Sequence, residues 1–486
     1  MAVGRKEGTD AIVVGAGAIG TLTALRLQQA GVHVVLFAPA DVMGEASRAA
    51  GAMLGTFGEV VSTTLTTDEG RARFELDRRA TRRWDVQMEE MGAAVGKPSD
   101  SWVVADQTVV IHNTAGSPDV DDRNFAAIVA ALETYGGTSH ETDPAELGLR
   151  ARQASRPLRA ITIEGERAID PRSWISDARQ AFLSAGGRIV TARADGLLSS
   201  HGAVTGVRDV HGQTYLADWV VTCAGAFTSP LLASVPELDE AIMPVFSGAG
   251  VAAHVVDGPQ TLPHRSVLRT PNRAFACGLH AVPRYGGGMY VGATNHLFAS
   301  PVSAPTVDDA VFLLNCAVEQ LHAGFSRGRI SELISGNRPV SADALPLIGR
   351  APVPGLVVIA GTYREGIHLS PMIADHVRDI VTGAAEDPLW EPFRPDRAPV
   401  SAARDTVIER TVEHAVAVGD EYGWDVPLSV RDDLAASYRA HFTRVLDWLG
   451  VEAVPPPEIL VELHRAPEMV RALRAHDKRR TRVSSH

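Results

Sequence analysis

A strand–helix–strand pattern of apolar residues opens the chain. The apolar run 11–14 is followed by the glycine-rich run 15–20, then by a segment to Ala30 with the apolar spacing of a helix, and then by a second apolar run, 32–37. Strand, glycine turn, helix and strand within about thirty residues are typical of a dinucleotide-binding βαβ unit.

Each glycine of the run 15–20 has a physical role in such a unit. Gly15 permits a tight turn, Gly17 lets the backbone approach a pyrophosphate, and Gly20 lets the helix lie close to the sheet. The positive end of the helix dipole then points at the phosphates. The alternative is a glycine turn that binds nothing, and the surrounding pattern argues against it.

The acidic residue that usually ends the second strand of such a unit is missing. That residue grips the adenosine ribose, and Ala38 occupies its place here. Either the ribose is held in another way, for example by Asp41 or Glu45, or the affinity for the cofactor is reduced.

Apolar periodicity predicts further elements downstream. Helices are predicted over 68–91, 121–135, 173–185 and 307–324 and from the turn after residue 366 to Gly383; strands over 101–112 (as a pair), 188–190, 217–226, 251–256, 274–282, 289–291 and 356–360; and a turn at 337–339. The strand within 217–226 ends on small residues after a long excursion, which indicates a discontinuous cofactor domain.

Beyond Arg397 the pattern becomes amphipathic and helical. Helices are predicted over 406–421, 430–449 and 458–476, and the basic tail 478–482 is interpreted as solvated. The amphipathic helices indicate only that this extension packs against something, as a lid, a dimer arm or a docking module.

Composition narrows the class of protein. The chain has 486 residues, enough for two or three domains, and its formal net charge of −12 argues against binding nucleic acid or an anionic membrane surface. No apolar run approaches the ~18 residues of a membrane span. Cys223, Cys277 and Cys316 lie far apart, in no metal-binding spacing, and are interpreted as free thiols in a reducing compartment. We expect a cytoplasmic protein and leave homo-oligomerisation open.

Four stretches together resemble the FAD-dependent D-amino acid oxidase superfamily, and within it the glycine oxidases most closely. They are 15–20 with its βαβ frame, 46–54, 280–284 with 291–294, and 336–348 with 361–367. The last pair is the most specific, because Asn-Arg-Pro, Asp-x-x-Pro-x-Ile-Gly and Gly-x-Tyr-Arg-x-Gly-Ile occur in family order and spacing.

The resemblance implies an α/β fold in which a Rossmann-like FAD-binding domain is interleaved with an antiparallel β-sheet substrate domain. Residues 1–90, 150–235 and 335–395 would form the FAD-binding domain, 91–149 and 236–334 the substrate domain, and 396–486 a helical C-terminal extension outside the family core. FAD would bind non-covalently, because the covalent-flavin cysteine of sarcosine oxidases has no clear match and Cys316 lies in a helix-like run.

The resemblance also implies residue roles. Arg338 would anchor the substrate carboxylate and Arg364 would assist, while His280 stands where glycine oxidases place a substrate-contacting tyrosine. The implied cofactor contacts are Gly15, Gly17, Ala18, Ile19, Gly20 and Ala38 near the pyrophosphate and ribose; Ala46, Ser47, Gly51, Ala52 and Met53 along the pyrophosphate and isoalloxazine; Ala194 at the adenine; and Gly361, Thr362, Tyr363, Arg364, Glu365, Gly366, Ile367 and His368 around the flavin pyrimidine edge.

The implied reaction oxidises the C–N bond of a carboxylate-bearing amine or amino acid by hydride transfer to flavin N5. The helix after Gly366 would aim its N-terminal amides at flavin N1–C2=O. O2 would then reoxidise the flavin to give H2O2, and the imine would hydrolyse. One alternative is oxidative cleavage of a secondary, N-carboxymethyl or sarcosine-like amine in a specialised biosynthetic pathway. Another is a flavin-bound scaffold that recruits a partner through its C-terminal helices.

The candidate residues also have structural interpretations. Arg338 would then be a structural arginine in a turn, and Arg364 would pair with Glu365 or another acid. His280 would act as a donor in place of the tyrosine, as a base, or only as a hydrogen-bonded histidine of a strand. His368 is open in the same way.

Overall fold

The computed structural model describes residues 9–39, 45–115, 118–149, 156–259, 262, 265–273, 278–422, 424 and 426–483. Asp41 and Cys277, which the sequence singled out, lie outside these residues. The strands are β1 (Ala11–Val14), β2 (Val34–Phe37), β3 (Met53–Leu54), β4 (Val103–Asn113), β5 (Ser139–Thr142), β6 (Pro157–Ile169), β7 (Arg188–Val190), β8 (Ala194–Ser200), β9 (Ala203–Asp209), β10 (Thr214–Leu216), β11 (Trp219–Thr222), β12 (Val245–Val256), β13 (Ser266–Arg269), β14 (His280–Pro283), β15 (Met289–Gly292), β16 (His296–Phe298), β17 (Arg329–Ser341), β18 (Leu347–Arg350) and β19 (Leu356–Ala360). The helices are α1 (Ala18–Gln29), α2 (Glu45–Arg48), α3 (Asp68–Val95), α4 (Pro118–Tyr135), α5 (Pro171–Ser184), α6 (Thr228–Leu232), α7 (Pro236–Ala241), α8 (Val307–Cys316), α9 (Ser370–Thr382), α10 (Arg404–Glu421), α11 (Leu428–Leu449), α12 (Pro457–Leu460) and α13 (Pro467–Val483).

β1 lies inside a sheet whose described strands have the order β18-β19-β11-β1-β2-β7. All these strands pair in parallel except β18, which runs antiparallel to β19. Ala11 pairs with Val34 on one side and with Trp219 on the other, so β11 returns to β1 after the long excursion that the sequence predicts. Because parallel strands end at one edge, the glycine turn after β1 and the segment after β11 lie side by side there.

A larger sheet supplies the other half of the core. Its described strands follow the path β16-β12-β15-β14-β13-β4-β6-β3, with β17 paired to β12 and β5 paired to β6. The strand pair predicted over 101–112 is a single strand, β4. Its polar Asp106 and Gln107 lie beside a register shift of the ladder rather than in a turn.

Asn337, Arg338 and Pro339 lie in β17, so the predicted turn is wrong. Arg338 is opposite Gly248 of β12, and Pro339 is opposite Ser247. The described strands give β17 no ladder on its other side. An edge strand tolerates proline because the missing amide hydrogen faces away from the ladder.

The two sheets and the helices α10 to α13 agree with the predicted α/β fold and its helical C-terminal extension. The division into domains stays a prediction. Strand β6 belongs to the larger sheet through β4, so a boundary at about 170 would suit the sheets better than one at 150. None of the described helices is both long and apolar enough to cross a membrane.

The C-terminal extension packs against the larger sheet and shares its core. One buried cluster contains Val407, Ile408, Val412, Phe442, Leu446, Leu449, Ile459, Leu460 and Met469 of the extension together with Val245, Leu297 and Val340 of the sheet. The single helix predicted over 458–476 is two helices, because Pro467 starts α13 and cannot continue α12. The tail is not wholly solvated, since Arg479 pairs with Asp239 at 2.8 Å.

A buried ion cluster joins this extension to the rest of the molecule. Arg273, which is 3% exposed, pairs with Asp121 of α4 at 3.0 Å and with Glu421 of α10 at 2.8 Å. Its guanidinium also donates to the side-chain oxygens of Gln320 and Asn113. Burial raises the pKa of Asp121 to about 6 against the opposing charge of Arg273.

Removing this guanidinium should leave two buried carboxyl groups without their counter-charge. We expect Arg273→Met to lower the free energy of unfolding by about 3–5 kcal/mol, measured as a fall in melting temperature. Arg123→Met is the matched control, because Arg123 of α4 pairs with Glu413 of α10 at the surface, and such pairs contribute at most about 1 kcal/mol. Equal losses in the two variants would contradict the structural role of the buried cluster.

Candidate active site

A cavity of about 740 Å³ lies between the two large sheets. Its volume is in the range of cofactor and ligand pockets. Parts of the segments 14–20, 45–55, 192–195, 223–231, 336–339 and 359–368 form most of its wall, and the larger sheet adds side chains such as His280 and Tyr290. All of the predicted site residues line it except Ala38 and Gly361.

The glycine turn after β1 is packed tightly at the cavity wall. Gly15 has a φ of 108°, and a Cβ at Gly20 would lie 1.8 Å from the carbonyl oxygen of Gly15. Helix α1 begins at Ala18, its N-cap Gly17 has no capping side chain, and its first turn contains no acidic residue. The Ala18 amide donates to Ser47 Oγ at 3.0 Å, which places the second predicted segment beside the first. This positive, uncapped helix end fits a pyrophosphate.

Ala38 does not line the cavity, whereas its neighbours Phe37 and Pro39 do. The Ala38 amide donates to the carbonyl of Val190 in β7, and its contact with a cofactor stays a prediction. Glu45 does line the cavity, and its carboxylate accepts a 2.5 Å hydrogen bond from Asn337, the neighbour of Arg338. How a ribose would be held stays a prediction.

The end of the cavity beside Ala194 contains a cation and a ring that sequence reasoning missed. The guanidinium of Arg193 lies 4.5 Å from the centroid of the Phe227 ring, and both side chains belong to lining residues. An adenine held by the backbone of Ala194 would meet this pair. The sequence contains no local pattern that marks Arg193 and Phe227 as neighbours. They come together only when the strand predicted over 217–226 has taken its place in the sheet.

The segment 46–53 lies against the larger sheet, which fixes its backbone. The Tyr290 hydroxyl donates to the Ala49 carbonyl at 2.8 Å, and Arg284 Nη2 donates to the Ala50 carbonyl at 2.9 Å. Ala52 has a φ of 54°. The small residues of this segment therefore form a shaped wall rather than a surface loop.

The predicted turn after β19 lines the cavity from Thr362 to His368. Gly361 makes the turn with a φ of 66° but does not line the cavity, and a Cβ there would lie 2.9 Å from the Leu345 carbonyl oxygen. Helix α9 begins only at Ser370. The turn itself, not the first residues of the helix, thus faces the cavity.

Side chains of α3 hold this turn from behind. Glu365 pairs with Arg73, whose Nε lies 2.6 Å from Glu365 Oε2. The pairing of Arg364 with Glu365 or another acid stays a prediction. Trp84 Nε1 donates to the carbonyl of His368 at 2.8 Å. The turn is therefore fixed at two points.

His368 is a neutral, hydrogen-bonded histidine beside the cavity. Burial lowers its pKa, and Nε2 donates to the carbonyl of Asp77 at 2.9 Å. Its Nδ1 is buried and has no hydrogen-bond partner among the described residues. An orphaned acceptor at this point of the wall fits a hydrogen-bond donor of a bound cofactor.

Glu59 is a charged lining residue that sequence reasoning missed. Asn272 Nδ2 donates to its Oε2 at 2.9 Å, and Arg269, which is 2% exposed, pairs with it. Burial opposes ionisation, but the charges of Arg269 and Arg364 lower the pKa of Glu59 well below its usual range. Glu59 is therefore ionised in the cavity wall.

Arg338 lies on the cavity wall with one end of its guanidinium fixed. Nη1 donates to the Thr294 carbonyl at 3.2 Å and to Asn295 Oδ1 at 3.3 Å. Its Nε and Nη2 make no hydrogen bond to the described residues. Asn295 Nδ2 in turn donates to the Tyr363 hydroxyl at 2.7 Å. Arg338 is thereby tied, through one amide side chain, to the turn 362–368.

His280 lies on β14 and is 4% exposed. Burial lowers its pKa to about 4, so the ring is neutral near pH 7. Nδ1 lies 2.8 Å from the Gly278 carbonyl and must donate to it. Nε2 is therefore an acceptor, and it points toward Gly51, where a Cβ would lie 3.2 Å away. The geometry favours an acceptor or base over a donor.

This burial predicts a pH dependence of stability. Because the folded pKa of about 4 lies below the ordinary 6.5, the unfolded state binds more protons between these values, and stability falls as the pH falls through them, at up to about 1.4 kcal/mol per pH unit. The melting-temperature advantage of the wild type over His280→Gln should therefore shrink between pH 7 and pH 5. His211→Gln, in an exposed turn, should show no such trend; an identical trend in both would contradict the argument.

The described cysteines are free thiols, as predicted. Cys316 ends α8 and does not line the cavity, whereas Cys223 does. Burial raises the pKa of Cys223, so its thiol stays protonated. Non-covalent cofactor binding stays a prediction.

Comparison with protein families matches residues 10–380 to the DAO family, described as FAD dependent oxidoreductase. The glycine oxidase of Geobacillus kaustophilus is 27% identical over 383 residues, covering 76% of this chain and 92% of that protein. The glycine oxidase of Pseudomonas putida is 32% identical over 40% of this chain and 50% of that protein. The bifunctional protein ThiO/ThiG of Synechocystis is 30% identical over 47% of this chain and 33% of its own length. The chain thus spans a third to a half of the latter two relatives.

Solved structures share the fold. The glycine oxidase from Geobacillus kaustophilus superposes with a TM-score of 0.67 at 23% identity, covering 80% of this chain and 98% of that one. The iminodiacetate oxidase (IdaA) from Chelativorans sp. BNC1 has a TM-score of 0.66 at 19% identity, covering 80% and 100%.

Proposed function

Because the chain belongs to the DAO family of FAD-dependent oxidoreductases, we propose that it oxidises the C–N bond of a carboxylate-bearing amine or amino acid. The observation that carries this proposal is Arg338, which lines the cavity, is fixed at Nη1, and makes no hydrogen bond through Nε or Nη2 to the described residues. A bound FAD would supply a hydride acceptor at N5. Loss of the hydride from a neutral amine would leave an imine that hydrolyses, and O2 would take the two electrons from the reduced flavin to give H2O2.

The chain would hold FAD along one wall of the cavity. Ala194 would lie at the adenine, the turn 15–20 at the pyrophosphate, and the segment 46–53 with the turn 362–368 at the ring system. The uncapped start of α1 and the orphaned Nδ1 of His368 are the groups that support this placement.

Arg338 would orient the substrate through a two-point contact with its carboxylate. Such a contact fixes the carbon beside the amine, and orientation is a large part of what this reaction requires from the protein. His280 Nε2 would accept a hydrogen bond from the amine, since its neutral ring presents a lone pair. Glu59 would keep the cavity wall near Arg364 from carrying unbalanced positive charge.

A secondary, N-carboxymethyl amine is the second candidate substrate. Two observations favour it: the iminodiacetate oxidase shares this fold, and a second arginine, Arg364, also lines the cavity. A substrate with a carboxylate on each side of its nitrogen would use both arginines.

The experiment is to purify the protein, record its flavin absorbance, and screen primary and secondary amino acids for anaerobic bleaching. Bleaching by carboxylate-bearing amines, and not by the matching simple amines, is the expected result. Peroxide release in air then separates an oxidase from a dehydrogenase. A colourless protein that cannot be reconstituted with FAD would overturn the proposal.

A further inference from the structure

We infer that the C-terminal extension, although it does not line the cavity, fixes the position of Arg338 from behind, and that its Glu462 is a positioning residue for Arg338. The inference rests on the proposed function, because it takes Arg338 as the carboxylate anchor. The extension lies beyond residue 380, where the match to the family ends. Its role in the site is therefore a property of this chain rather than of the family core.

The segment 294–295 holds one end of the Arg338 guanidinium. Thr294 and Asn295 accept both hydrogen bonds from Nη1, and they directly precede β16. On the other side of Arg338, a Cβ at Gly250 would lie 2.2 Å from Nη1. Arg338 therefore lies in a narrow slot, and its guanidinium position depends on where the backbone of 294–295 is held.

The next side chain along the chain, that of His296, connects this segment to the extension. His296 lies between two carboxylates, with Nδ1 3.1 Å from Glu462 Oε1 and Nε2 3.3 Å from Asp309 Oδ1. Both carboxylate side chains are mostly buried, with 13% of Glu462 and 14% of Asp309 exposed. Hydrogen bonds to Asp309 and Glu462 raise the pKa of His296 to about 10. A histidine cation thus ties the residue next to Asn295 to the extension.

Strand β16 would have few stabilising contacts without this ion pair. β16 has three residues and, within the described part of the chain, pairs only with β12, through 247–249. So short an edge strand has little stability of its own. Leu297 adds to the tie, because it is buried in the cluster shared with the extension. The extension therefore fixes β16, and β16 fixes Arg338.

The test compares Glu462→Ala with Glu468→Ala in full-length, FAD-loaded protein. Glu468 is in the same extension, but it is exposed and pairs only with Arg471 of its own helix among the described residues. We expect Glu462→Ala to raise KM for a carboxylate-bearing amine about three- to tenfold with kcat nearly unchanged. Amide hydrogen exchange of the peptide over 293–298 should become faster. Glu468→Ala should change neither quantity.

The two readouts separate the possible failures. Unchanged hydrogen exchange over 293–298 in Glu462→Ala would overturn the inference, whatever the substrate proves to be. Faster exchange with an unchanged KM, or with kcat and FAD content falling together, would also overturn it, because the role would then be only structural. No turnover of carboxylate-bearing amines by the wild type would overturn the proposed function instead. Glu462→Gln, expected to act in the same direction, replaces Glu462→Ala if that variant folds poorly.

Discussion

Replacing Gly20 by alanine should weaken FAD binding about tenfold to a hundredfold. The added Cβ would lie 1.8 Å from the Gly15 carbonyl oxygen and 3.1 Å from Cys223 Cβ. Neither Gly15 nor Cys223 can move easily, since each directly follows one of the paired parallel strands β1 and β11. Helix α1 must therefore shift away, and its amides leave the position that a pyrophosphate would occupy. The flavin-to-protein absorbance ratio after purification and a fluorescence titration of the apoprotein measure the loss.

Gly136→Ala is the control for this variant. Gly136 follows α4, has a φ of 71°, and would place its Cβ with no atom within 4 Å. The strain of that conformation costs about 1–2 kcal/mol of stability and should leave FAD affinity unchanged. Full FAD content in Gly20→Ala, or equal losses in both variants, would contradict the placement of the pyrophosphate at α1.

The cofactor half of the site was predictable because its signals are local. The glycine run 15–20 lies between two apolar runs. The turn and the helix that begins in it are therefore both visible within about thirty consecutive residues. The strand β11 was predictable for the same reason, since an apolar run that ends on small residues is typical of a buried parallel strand. The turn 362–368 was predicted from the Gly-x-Tyr-Arg-x-Gly-Ile motif, which is one continuous stretch of the sequence.

The substrate half depends on contacts between distant segments, and local patterns do not report these. Asn295 meets Arg338 and Tyr363 only once β16, β17 and the turn after β19 come together. Glu59 is ionised because Arg269, from the distant strand β13, pairs with it directly. Arg338 itself was expected in an Asn-Arg-Pro turn, whereas β17 pairs with β12 and with no second strand among those described, so that an edge strand accepts the proline.

The packing of the C-terminal extension could be predicted from the sequence even less. Amphipathic spacing predicts that its helices have a buried face, but it does not identify the surface they cover. In the structure, residues of the extension share one buried cluster with Val245, Leu297 and Val340 of the larger sheet. Glu421 and Glu462, which connect the two, look like ordinary surface acids in the sequence.

Arg338→Ala should lower kcat/KM for a carboxylate-bearing amine about a hundredfold or more, chiefly through KM. Removing one partner of a buried, hydrogen-bonded ion pair costs about 2–5 kcal/mol, and about 1.4 kcal/mol is a factor of ten. Simple amines that lack the carboxylate should lose little, since they never made the contact. Steady-state peroxide or dye-reduction assays on matched pairs of amines, with and without the carboxylate, measure the difference.

Arg329→Ala is the matched control, because Arg329 lies on the same strand β17 but is exposed and pairs with Asp257 away from the cavity. It should leave both classes of amine unaffected. Arg338→Lys separates charge from geometry: a lysine keeps the positive charge but cannot form the two parallel hydrogen bonds of a guanidinium. If orientation is the main contribution, Arg338→Lys should recover binding more than turnover. An equal loss for amines with and without a carboxylate in Arg338→Ala would show that Arg338 supports the wall of the cavity and does not bind the substrate.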